Sequence, residues 1–220
     1  MFYQVRLLRG LRHPKITFYQ LNQAEGIARF WPKFLLLVLA STVIHALFAH
    51  FGVGNEILSK EIDELPPSEF EAKKALFAAG KLIWGILYPF LYLFFTSLVL
   101  WTLTDVPFKK ITALQCIVLV ILLAEKLIFL PFAVQMGLPE ESSPFSLGVA
   151  AQYITSADLL VYFLGEITLF GIAAMVFQYY GLKALSPRRP AILLISVIGL
   201  HLFLWLMSAL ISYIQFEKLL

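Results

Sequence analysis

The chain has 220 residues, of which 60% are hydrophobic and 14% charged, with a net charge of +3. An average soluble domain carries about 25% charged residues, so composition excludes a water-soluble globular body. The single cysteine, Cys116, cannot form an intrachain disulfide.

Residues 1–33 form an arm ahead of the first long apolar run. Its first fourteen residues interleave Phe2, Tyr3, Val5, Leu7, Leu8 and Leu11 with Arg6, Arg9, Arg12 and His13. That mixture predicts a basic amphipathic helix in the membrane interface. There each arginine adds about 1 kcal/mol of attraction to anionic headgroups. Asn22 and Glu25 have capping-box spacing, which predicts a second short helix starting at Asn22. Trp31 then falls at headgroup level, where an indole is favoured.

Five apolar stretches follow, Phe34–Gly52, Leu82–Leu103, Ile111–Phe132, Leu159–Tyr180 and Ala191–Tyr213. About 20 mostly apolar residues suffice to cross the hydrocarbon as a helix, and lipid requires each backbone polar group to be paired internally. The expected fold is an all-α polytopic membrane protein, with five transmembrane helices in 34–215 plus the N-terminal amphipathic arm. The external loop 54–80 is acidic up to Pro66-Pro67. Ser68 then stands three residues before Glu71, which predicts a helix from Ser68 running into span two.

Lys and Arg favour cytoplasmic flanks. Six precede span one, Lys109 and Lys110 separate spans two and three, and Lys183, Arg188 and Arg189 separate spans four and five. The opposite side collects Glu56, Glu61, Asp63, Glu64, Glu69, Glu71, Glu140 and Glu141. The expected orientation is N-terminus cytoplasmic and C-terminus outside. No small-residue cleavage pattern follows the first apolar run, so span one is expected to remain as an anchor.

His45, Glu125, Lys126 and Glu166 lie inside the spans and form a candidate buried polar site. A charge at the centre of a spanning helix costs about 3 kcal/mol on insertion scales and usually faces the bundle interior with a partner. At 1.5 Å per residue, Glu125, Glu166 and His45 sit roughly 15, 12 and 10 Å below the outer ends of their spans. Neighbours on a helix point about 100° apart, so Glu125 and Lys126 do not pair. The expected pair is Lys126 with Glu166, leaving Glu125 towards His45 or a water-filled cleft. Pro89 and Pro131 free carbonyls in the same half and favour a polar pocket. A packing role for these charges and a functional pocket both stay open. His201, alone in span five, is expected to hydrogen-bond a neighbouring helix.

His45 and His50 are five apart, off the helical spacing that would bring both to one metal. No metal, cofactor or nucleic-acid partner is expected. H-E-x-x-H, G-x-S-x-G and P-loop patterns are absent, and with them the usual chemistry. The chain is expected not to be an enzyme.

Three runs carry a family resemblance. They are His13-Pro14-Lys15-Ile16-Thr17-Phe18 ahead of span one, Val106-Pro107-Phe108-Lys109-Lys110-Ile111 leading into span three, and Asp158-Leu159-Leu160 with Gly171 and Gly181-Leu182 in span four. From about Pro14 to its end the chain resembles the Yip-domain (YIPF) integral membrane proteins, particularly their bacterial branch. The resemblance implies five spans, a cytoplasmic arm, the bacterial cytoplasmic membrane, and an accessory role beside ABC-type exporters. Eukaryotic members carry an Asp-Leu-x-Gly-Pro segment and interact with Rab-type GTPases. That segment is absent here, so GTPase binding is not carried over. The expected function is thus non-enzymatic, exercised on the lipid bilayer and other membrane proteins. The alternatives are an autonomous small-molecule, ion or lipid transporter using the buried polar site, and a membrane-shaping protein acting through its arm.

Overall fold

The structure is a computed structural model that describes residues 2–54 and 66–214. The acids Glu56, Glu61, Asp63 and Glu64 of the external loop lie outside the described residues. Four helices among the described residues are long and apolar enough to cross a membrane: α3 (Phe30–His50), α4 (Pro67–Leu103), α5 (Phe108–Met136) and α9 (Pro190–Ile214). They contain predicted spans two, three and five and all but the last two residues of span one, and they mark the chain as a membrane protein.

Predicted span four is corrected. It is not one helix but two, α7 (Asp158–Glu166) and α8 (Leu169–Leu185), interrupted at Ile167-Thr168. Both lie in series along α9: Ser208 meets Glu166, Trp205 faces Gly171 and His201 meets Gln178. A 3-10 turn (Glu140–Ser142) and α6 (Gly148–Ile154) precede the broken pair.

The helix predicted from Ser68 is present and, as expected, runs on into span two. It begins one residue earlier, with Pro67 in the first turn, where a missing N–H costs nothing. Pro66 is the N-cap, without a side-chain cap, so the Ser68–Glu71 capping box is not what starts the helix. Pro89 and Pro131 both sit inside continuous helices.

The arm departs most from expectation. In place of one interfacial helix over 1–14 there is a strand β1 (Phe2–Gln4), a six-residue α1 (Leu7–Arg12) and then α2 (Pro14–Asn22). Pro14 disfavours helical geometry at His13 and restarts the helix as its own first residue. Asn22 ends α2 rather than opening a helix, and the chain continues into β2 (Gly26–Ala28), which pairs in parallel with β1.

Nor does the arm merely rest on lipid. Tyr3, Val5, Phe18, Leu21 and Ala24 are buried. Phe18 packs edge-on against Phe177 at 5.0 Å, and Lys110 Nζ donates to the Asn22 carbonyl at 2.6 Å. Gly10 presses on α5 so closely that a Cβ there would lie 2.7 Å from Ile117 Cδ1.

α5 is the central helix, and every residue from Ile111 to Leu119 is buried, as expected of a helix apolar all round. α3 packs along α4, with Phe34 against Phe90 and Phe94 at 4.7 and 5.6 Å. Arg188 grips Asp105 through two bonds of 2.6 and 3.0 Å, so connections 104–107 and 186–189 share one end of the bundle. With Lys110 bound to Asn22, the arm is at that same end. Residues 51–54 after α3 and the segment between α5 and α7 form the far end.

Candidate functional site

The far end gathers the polar groups. Glu140, in the 3-10 turn, accepts from Lys126 Nζ at 3.2 Å and from Lys81 Nζ at 3.4 Å. The side chains of Lys126 and Glu140 are 28% and 42% exposed, so the cluster is open on one side. The Lys126 charge, reinforced by Lys81, pulls the Glu140 carboxyl down to about 2 against partial desolvation. Lys81 also lies over the Phe77 ring at 5.5 Å and against Gly54.

The α7–α8 interruption lies beside this cluster. Ile167 and Thr168 are both β-branched and poor helix residues, and Thr168 caps α8 by accepting the Gly171 N–H at 2.9 Å. The backbone freed by the break is taken up by the preceding loop. Leu147 N–H donates to the Ile167 carbonyl at 3.0 Å, and Leu169 N–H to the Phe145 carbonyl at 2.9 Å. Phe145 is wedged edge-on between Phe132 and Phe170, at 5.7 and 5.5 Å. Irregular backbone at membrane depth is tolerated only when paired in this way.

The four predicted residues converge on this region, but with other partners. The expected Lys126–Glu166 pair is corrected: Lys126 binds Glu140, and Glu166 accepts from the Ser208 hydroxyl at 2.6 Å. Residue 140 belongs to a turn that only the folded chain brings back over α5, which is why span-by-span pairing overlooked it. Glu125 lies within reach of the Thr168 side chain. His45 is buried, with Nδ1 2.9 Å from the Ser41 carbonyl of its own helix. It remains within electrostatic reach of Lys126, Glu140 and Lys81. Tyr88, one turn from Trp84 on α4, completes the group, 6.2 Å from the His45 ring and within reach of Glu125, Glu166 and Glu140.

A second polar network crosses the bundle nearer the arm end. Gln178 Nε2 donates to Gln115 Oε1 at 2.8 Å, and Gln178 Oε1 lies 2.9 Å from His201 Nε2. An amide oxygen only accepts, so the His201 ring carries its proton on Nε2. All three side chains are buried, and Gln115 Nε2 has no hydrogen-bond partner among the described residues. The neighbouring-helix bond expected of His201 is therefore present. The two glutamines carry no charge and so stand out less in the sequence than His201; an amide alone in an apolar span is the signal they give.

Arg6, Arg9 and Arg12 stay exposed at the arm end. Among the described residues, no group of three or more His, Cys, Asp or Glu is arranged to hold a metal ion. No family model matches the chain, and no curated protein or solved structure matches it.

Proposed function

We propose that this chain is a non-enzymatic integral protein of the bacterial cytoplasmic membrane, of the Yip-domain kind, acting as an accessory or assembly subunit of an ABC-type export complex. Its arm end is cytoplasmic, in keeping with the basic residues gathered there, and α7 with α8 makes an interrupted fifth crossing. One observation carries the reading. Each of the four polar residues placed in the spans is engaged by a neighbour within the fold: Lys126 by Glu140, Glu166 by Ser208, Glu125 by Thr168 and His45 by Ser41. The Lys126–Glu140 pair fastens the far-end loop to the bundle, and the four contacts together support a packing role. The surface left for partners is the far-end loop, where Tyr153 is 88% exposed, and the outward side of the arm.

Purification from native membranes in mild detergent, followed by mass spectrometry of co-eluting proteins, tests this. A stoichiometric membrane partner of the exporter class is the expected result. A partner-free protein overturns it.

The interrupted crossing favours a second reading, an autonomous carrier. Broken helices that meet polar groups at membrane depth are where transporters bind substrates and coupling ions. A pH-dependent flux into proteoliposomes, abolished by Glu125→Gln, would establish that reading in place of the first.

A further inference from the structure

The outward face of the arm carries more than exposed charge. Leu8, Arg9, Arg12 and His13 line a concavity of about 400 Å³ at the end of α1. Gly10 faces the opposite way, flat against Ile117, so the helix is clamped with these side chains turned from the bundle. Arg9 and Arg12 are one turn apart and therefore neighbours on the helix surface. Two guanidinium forks at that spacing suit the oxygens of a phosphate. Glu25 is the acidic residue of the arm, and it lines a different recess beside Trp101 and Lys109.

The surroundings are those of a bilayer interface. Leu8, on the rim of the concavity, is 76% exposed, and Phe2, Ile16 and Tyr19 are also exposed on the arm. Ile117, against which the arm is pressed, lies nine residues into α5, or roughly 13 Å along that helix. At the same end of the bundle α3 begins with the exposed Trp31, a residue type that favours headgroup level. A soluble phosphate would make no use of the apolar rim, whereas the acyl chains of a lipid would cover it. A zwitterionic headgroup brings its own cation and competes with the arginines.

The geometry points to a binding site for the phosphate headgroup of an anionic phospholipid, held by Arg9, Arg12 and His13 with Leu8 against the acyl chains. Thermal unfolding of the full-length protein in a neutral maltoside micelle tests it, with added phosphatidylglycerol, phosphatidylcholine or inorganic phosphate. A ligand that binds only the folded state raises Tm. Phosphatidylglycerol is expected to raise Tm by several degrees, while the other two leave it unchanged. Arg9→Gln/Arg12→Gln, both exposed, is expected to keep the lipid-free Tm and lose at least half of the phosphatidylglycerol increment. Arg189→Gln, an exposed cation outside the concavity, is expected to keep the increment.

Equal increments in the arginine double variant and in Arg189→Gln would overturn the site in favour of diffuse attraction. An equal rise with inorganic phosphate would overturn the lipid assignment. If the double variant does not fold, native mass spectrometry of the wild-type protein decides. Retention of phosphatidylglycerol over phosphatidylcholine, not competed away by inorganic phosphate, is expected, and equal retention of the two lipids overturns the proposal.

Discussion

Lys126 Nζ lies 3.2 Å from Glu140 Oε2, so a lysine that the sequence places inside a span is neutralised by a turn fourteen residues further on. Lys81 joins the same carboxylate from α4, and three elements are tied through one side chain. Glu140 has its pKa lowered from 4.5 to about 2 by these cations. A carboxyl with a depressed folded-state pKa contributes its full stability above the unfolded value and loses it as pH falls. Thermal stability should therefore be level above about pH 5 and decline between about 4.5 and 2. Glu140→Gln should flatten that decline and cost about 1 kcal/mol at pH 7, the scale of a partly exposed ion pair. Unfolding of both proteins across this pH range checks it; parallel pH profiles would refute the role given to Glu140.

The amide chain Gln115–Gln178–His201 makes a different prediction. Gln178→Leu strands the Gln115 carbonyl and the His201 N–H in a buried site, which costs about 1–3 kcal/mol. Replacing both glutamines by leucine removes the stranded carbonyl together with the Gln115 Nε2 that lacks a hydrogen-bond partner among the described residues. The double variant should thus be more stable than Gln178→Leu alone. Denaturant titration in detergent measures the order, and strict additivity of the two substitutions would contradict the network.

The membrane class was legible because it rests on run length alone. Four apolar runs became four long helices. The fourth predicted span failed because hydropathy averages over Ile167-Thr168, while helix continuity depends on local backbone partners. Here those partners are Phe145 and Leu147, brought in by tertiary folding. The arm failed for a related reason. Its alternation of Leu and Arg suits an interfacial helix, yet Pro14 cuts it and the pairing of β1 with β2 depends on residues 24 apart. Of the polar site, the sequence indicated His45, Glu125, Lys126 and Glu166 but not their partners Ser208, Thr168 and Glu140.

Close approach between α3 and α4 predicts a graded response to added methyl groups. A Cβ at Gly85 would lie 2.9 Å from the Thr42 Cα and 3.0 Å from the His45 Cβ, atoms that cannot move without shifting a helix. At Gly181 the obstacle is the Leu114 side chain, with Cδ1 at 2.5 Å, and a leucine can change rotamer. Nothing lies within 4 Å of a Cβ at Gly199. Gly85→Ala should cost about 2–3 kcal/mol, in the range of core overpacking, and Gly181→Ala less. Gly199→Ala should be neutral or stabilising by up to about 1 kcal/mol, since alanine is the better helix former. Comparison of the three Tm values tests the order, and a harmless Gly85→Ala would mean that α3 and α4 do not cross there.

The Arg188–Asp105 clip places two connections and the arm at one end of the bundle, and the far-end loop at the other. Asp105 is exposed, and the guanidinium beside it holds its carboxyl below the ordinary value. Asp105→Cys should leave the fold intact, because exposed ion pairs contribute little. Cys116 is fully buried, so the natural thiol should stay silent towards a membrane-impermeant maleimide. In oriented vesicles, Asp105→Cys and Arg12→Cys should label from one side and Tyr153→Cys from the other, with the first pair cytoplasmic. Arg189→Cys, exposed just after α8, should label with the first pair, and its labelling from the side of Tyr153→Cys would mean that α7 and α8 do not complete a crossing. The odd number of spans would then be lost, and with it the assignment of the two ends to opposite faces.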